Sequence, residues 1–119
     1  MKKNILDEKC LAFAVRIVRF YQYLSTEKKE LVLSKQILRS GTSIGANIRE
    51  SRNAQSNADF INKINIALKE ADETQYWLEL LKLSDIINED DFNSMNQDVK
   101  EIIAMFVSSL KTLKSKAAL

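Results

Sequence analysis

The chain has 119 residues, a formal net charge of +2, two glycines, one cysteine, and neither histidine nor proline. That length suits one domain with one core, and the scarcity of turn-forming residues argues against a strand-rich fold. The lack of histidine excludes Ser-His-Asp triads, histidine-ligated zinc sites and the Glu-x-x-His pairs of di-iron bundles.

Cys10 has no partner for an intrachain disulfide, and Asp7 and Glu8 break any signal-peptide-like apolar run. Ile102 to Val107, among the longest apolar runs, falls far short of the roughly 18 residues of a membrane span. The expectation is a cytoplasmic protein with no membrane partner. The small net charge hides an uneven distribution: residues 28–69 hold eight basic and three acidic groups, residues 70–99 one and nine, and residues 100–119 four and one. A helical molecule built this way has acidic and basic regions.

The first element, about Asp7 to Leu24, places Cys10, Ala14, Ile17, Tyr21 and Leu24 on one helical stripe, which Leu11, Val15 and Val18 widen. Phe13 and Phe20 fall outside that stripe and suggest either deep burial or a second apolar surface meeting another chain. The second, about Glu27 to Asn53 with Ser25 or Thr26 as N-cap, carries Leu33, Ile37, Gly41, Ile44 and Ile48. The helical period runs straight through Gly41 and Gly45, which therefore read as notches for close packing. The third starts after Ser56, with Asp59 in a capping-box position, and its stripe is Phe60, Ile64, Ala67, Ala71, Thr74, Leu78 and Leu81. The fourth opens near Asn88–Asp91 and has the most regular heptad: Phe92, Met95, Val99, Ile102, Phe106, Leu110 and Leu113. Four amphipathic helices with short connections predict an all-α, antiparallel up-down-up-down four-helix bundle spanning residues 1–119.

Arg39, Ser43, Ala46 and Glu50 on the second helix, and Ile66, Glu73, Trp77 and Leu80 on the third, lie off the core stripes. Together with Phe13 and Phe20 they form a candidate oligomer interface, in which Arg39 of one chain would pair with Glu50 or Glu73 of another. Within one straight helix Arg39 and Glu50 stand about 16 Å apart along the axis, too far to meet directly.

The stretches QILRSGTSIGANIRES (36–51) and SNADFINKINIALKEADETQYWLELL (56–81) resemble the four-helix-bundle family of 23S rRNA intervening-sequence proteins, also labelled S23 ribosomal proteins. The residues that carry the resemblance are Gln36, Arg39, Ser40, Ser43, Ile44, Ala46, Asn47, Ile48 and Glu50, then Ser56, Asp59, Phe60, Ala67, Leu68, Glu73 and Thr74. The resemblance implies a bacterial homopentamer, with a family name that reflects gene location rather than a ribosomal role. One branch is similar to the accessory variability protein of diversity-generating retroelements, which binds nucleic acid and partners a reverse transcriptase. The modest net charge of +2 argues against a strongly basic member of that branch.

No catalytic residue, metal ligand or cofactor site is expected. Glu70-x-x-Glu73 places two carboxylates on one helical face, but a divalent-metal hydrolase needs a second acidic pair, and Asp90 and Asp91 fit a helix start while Asp98 is single. Cys10, on the core stripe without an activating neighbour, reads as a small buried hydrophobe. GTSIG lacks the Lys-Ser/Thr of a phosphate-binding loop. The leading expectation is a non-enzymatic homo-oligomer that binds RNA or DNA non-specifically through Lys28, Lys29, Lys35, Arg49, Arg52, Lys63, Lys111, Lys114 and Lys116. The alternative is a protein-interaction scaffold that binds no nucleic acid.

Overall fold

The computed structural model describes residues 4–117. It contains four helices: α1 (Ile5–Thr26), α2 (Leu33–Ser51), α3 (Asn57–Leu83) and α4 (Glu89–Ala117). Three side-chain caps fix their starts. Asn4 accepts from the Asp7 amide at 3.1 Å, Ser56 from Asp59 at 3.1 Å, and Asn88 from Asp91 at 2.7 Å. The Asp59 carboxylate returns to the Gln55 amide at 3.2 Å rather than to that of Ser56, so the expected capping box is displaced by one residue.

The start of α2 departs from the sequence reading. Ser25 and Thr26 are the last turn of α1, with their hydroxyls donating to the carbonyls of Tyr21 and Gln22. The chain then leaves the helix at Lys29, whose φ is 56°, and α2 begins only at Leu33. Its orphan amides are met from outside: the Glu30 carboxylate accepts from Ser34 at 2.7 Å and Val32 at 3.3 Å. The expected start at Glu27 was too early, because the cap is the Glu30 carboxylate reaching forward rather than a residue at the N-cap position. The α3–α4 turn uses the same backbone device. Asp85 has φ 59°, with Ile86 N–H donating to Leu81 and Asp85 N–H to Lys82, a Schellman closure.

Neighbouring helices pack antiparallel in the order α1–α2–α3–α4, and α4 closes back on α1; the diagonals α1/α3 and α2/α4 make no close approach. The result is an up-down-up-down bundle of 51 × 23 × 22 Å. Its core contains every predicted stripe residue of α3 from Ile64 to Leu81 and of α4 from Met95 to Leu110.

On α1 the expected Cys10, Ile17 and Leu24 are buried, but the rest of the inward face is rotated from the expected one. Phe13 and Phe20 are buried, 2% and 8% exposed, whereas Leu11, Val15 and Val18 are 54%, 46% and 40% exposed. Polar contacts to α4 account for the rotation: Lys9 pairs with Glu101, and Arg16 with Asp98 at 2.6 Å. With Lys9 and Arg16 turned to α4, helical geometry aims Phe13, Ile17, Phe20 and Leu24 at the axis and Val15 directly away from it. The aromatic pair is therefore core, and its assignment to an oligomer interface is withdrawn.

Gly41 sits where α1 crosses α2. A methyl group there would lie 2.7–2.9 Å from three side-chain atoms of buried Ile17, closer than packed carbons tolerate. At Gly45 a Cβ would meet Cys10 at 3.4 Å, an ordinary contact. Only the first notch is sterically required.

Candidate nucleic-acid interface

The antiparallel topology gathers the N-termini of α1 and α3 and the C-termini of α2 and α4 at one end of the bundle. The half-molecule made of residues 4–18, 40–69 and 100–117 carries ten basic and five acidic side chains. The other half, residues 19–39 and 70–99, carries six and eleven. The molecule is thus electrically polarised along its long axis.

This division sorts the nine candidate phosphate contacts. Arg49, Arg52, Lys63, Lys111, Lys114 and Lys116 belong to the basic half. Lys28, Lys29 and Lys35 lie at the opposite end, near Asp85 and the Glu89–Asp91 start of α4, so the nine do not form one surface. Lys28 stands 5.8 Å from the centre of the Tyr23 ring.

Three of the six in the basic half are engaged by their own chain. Asp7, only 4% exposed, accepts from Arg49 Nε at 3.2 Å and from Arg52. The pair of guanidiniums thereby ties the end of α2 to the first turn of α1. Lys63 pairs with Glu50 at 3.2 Å. Lys111, Lys114 and Lys116 are exposed along the last turns of α4 and make no ion pair among the described residues. Arg49 and Arg52 keep about half their side-chain surface in solvent, 52% and 51%, so each retains donors for an external anion. The sequence reading missed Asp7 as a partner because its relation to α2 spans 42 residues and has no local periodicity.

Arg39 has its partners at home. It reaches Glu70 at 3.1 Å and Glu73 on α3 of the same chain, replacing the expected pairing between chains. One helical step inward, Ser40 and Thr74 hydroxyls are hydrogen-bonded at 2.9 Å in full burial. Arg39-Ser40 and Glu73-Thr74 therefore meet as adjacent polar pairs, and the two halves of the sequence signature join α2 to α3. The Arg39 guanidinium beside it holds the Glu73 carboxyl below its usual range, helped by Trp77 Nε1, which donates to Glu73 at 3.3 Å.

The Glu70/Glu73 pair is spent on Arg39, and no group of three metal-ligating side chains occurs among the described residues. Burial first, and the Asp7 charge second, push the Cys10 thiol up to about 12, which suits a packing role rather than nucleophilic chemistry. Of the other interface candidates, Ser43 donates to the Arg39 carbonyl at 2.6 Å, Ala46 is exposed beside the α1–α2 groove, and Ile66, Trp77 and Leu80 are half-buried on α3. No helix among the described residues is long and apolar enough to cross a membrane.

No curated protein matches the chain. A crystal structure of a protein of unknown function from the S23 ribosomal protein family of Bacteroides thetaiotaomicron is similar at 59% identity, covering 90% of this chain and 99% of that one, with a TM-score of 0.88. Residues 2–108 match the family model described as 23S rRNA-intervening sequence protein. With nearly the whole bundle inside that match, the chain belongs to the 23S rRNA-intervening sequence protein family.

Proposed function

We propose that the protein is a non-enzymatic homo-oligomer, of five copies on the family resemblance, that contacts RNA or DNA through its basic half without reading bases. The observation that carries the reading is the cluster of Lys111, Lys114 and Lys116, exposed and without ion-pair partners among the described residues, at the same end as the half-exposed Arg49 and Arg52. Long flexible ammonium groups on a helix end neutralise phosphate; they do not present the fixed donor and acceptor pattern that base edges require. The acidic opposite end orients such contact, because it repels a polyanion.

Binding of single-stranded RNA and duplex DNA across a salt series tests this. With about three to five phosphates neutralised, log K on duplex DNA should fall with log salt at a slope of about −3 to −5. Absence of retention at low ionic strength would overturn the reading. In that case, co-purification of a protein partner from cells would favour the scaffold alternative, which the exposed apolar residues of α1 and α3 support.

A further inference from the structure

The acidic end of the bundle carries apolar side chains that the core does not use. Leu31 and Val32, in the α1–α2 connection, and Leu83, the last residue of α3, are 59%, 70% and 78% exposed, while buried Leu24, Leu81 and Ile87 close the core at this end. The antiparallel register of α2 and α3 brings the three together. Arg39 meets Glu73 and Ser40 meets Thr74, so eight residues further toward this end Val32 stands at the level of Leu81 to Leu83. Leu83 also borders a groove of about 410 Å³ between α3 and α4, which Glu79 and Phe92 help to line.

Both connections are tied down by hydrogen bonds. Glu30 donates its amide to the Leu24 carbonyl at 2.9 Å while its carboxylate caps α2, and the Ile86 amide donates to Leu81 at 2.9 Å. Apolar groups held on fixed loops lose little freedom when a partner covers them, which favours binding.

Charge selects the occupant. Residues 27–35 and 79–92, which build this end, hold seven acidic and four basic side chains. Of the basic ones, Lys82 is already paired with Glu89 at 3.3 Å and Lys28 lies against the Tyr23 ring. Glu27, Glu79, Asp85, Asp90 and Asp91 make no ion pair among the described residues. We propose that this end docks a basic amphipathic helix of another protein, with its leucine-like side chains on Leu31, Val32 and Leu83 and its lysines or arginines against the free carboxylates. Apolar contact at the centre supplies affinity, and the charged rim supplies selection. Nucleic acid and anionic lipid meet an excess of like charge here, so the patch serves a class of partner different from that of the basic end.

Fluorescence titration with a synthetic helical peptide of about 18 residues, made of leucine and lysine in helical period, tests the assignment on the full chain. Two control peptides keep the design but replace lysine by glutamate, or leucine by serine. The leucine-lysine peptide should bind and neither control should. Combined Leu31→Ser, Val32→Ser and Leu83→Ser should weaken binding about tenfold or more, and combined Glu79→Lys and Asp90→Lys about fivefold or more. Ile5→Ser, an equally exposed apolar position at the opposite end, should change it by less than about twofold. All substituted positions are exposed, and a helical spectrum with cooperative unfolding confirms each fold. No binding of the leucine-lysine peptide, equal binding of the serine-lysine control, or unchanged affinity in the triple serine variant would overturn the proposal. So would a triple serine variant that changes the particle mass in solution or loses retained RNA, since the patch would then belong to another copy or to nucleic acid.

Discussion

Gly41 is occupied by glycine because the neighbouring helix takes the space of its side chain. Gly41→Ala forces its methyl into buried, β-branched Ile17, whose χ1 is stiff. The gain in helix propensity, about 1 kcal/mol, offsets part of an overpacking cost of about 1–3 kcal/mol. Chemical denaturation should therefore show Gly41→Ala destabilised by about 1–2 kcal/mol and Gly45→Ala unchanged or stabilised by up to about 1 kcal/mol. The order reversed would mean the α1–α2 approach is looser than described. Glu73 gives a pH-dependent counterpart. Its folded carboxyl is held below its ordinary value of 4.5 by Arg39, so its contribution is present above that value and disappears as pH falls through the lower folded one. With 35% of the side chain exposed, the contribution is small, under about 1 kcal/mol. The stability difference between wild type and Glu73→Gln should be measurable at pH 7 and shrink as pH falls below 4.5; a difference that grows in acid would contradict the sign.

Between elements, the main tie outside the apolar core is Asp7, a nearly buried carboxylate held by two guanidiniums from the end of α2. Asp7→Ala removes the acceptor but leaves half-exposed arginines that rehydrate, so the expected loss is about 1–3 kcal/mol rather than the larger cost of a fully buried unpaired charge. Urea titration checks this, with a loss under about 0.5 kcal/mol counting against the clamp. Asp7→Asn should also tighten nucleic-acid binding, since two guanidiniums then lack an internal counter-charge.

These elements show what the sequence displays and what it hides. The stripes of α3 and α4 were legible because one uninterrupted period served one face. On α1 two overlapping stripes were available, and the choice between them rests on Lys9 and Arg16 meeting residues more than eighty positions away on α4. The same distance effect concealed Asp7–Arg49. Arg39 pairs with Glu73 of its own chain, where the expectation had Glu50 or Glu73 of another, since spacing within helices does not say which copy supplies the partner.

At the scale of the whole molecule, antiparallel packing converts an uneven linear charge distribution into a long-axis polarity. The three lysines at the end of α4 complement the helix dipole and also extend the basic half. Lys28, Lys29 and Lys35, equal in number and equally basic, lie among the carboxylates of the other end. This gives an internal control for the central claim. Binding of a single-stranded RNA at low salt is measured for two charge-reversal variants, one with Lys111, Lys114 and Lys116 changed to glutamate and one with Lys28, Lys29 and Lys35 changed to glutamate. The first should lose at least tenfold in affinity and the second should change by less than threefold. Equal losses in both, or no binding by the wild type, would contradict it.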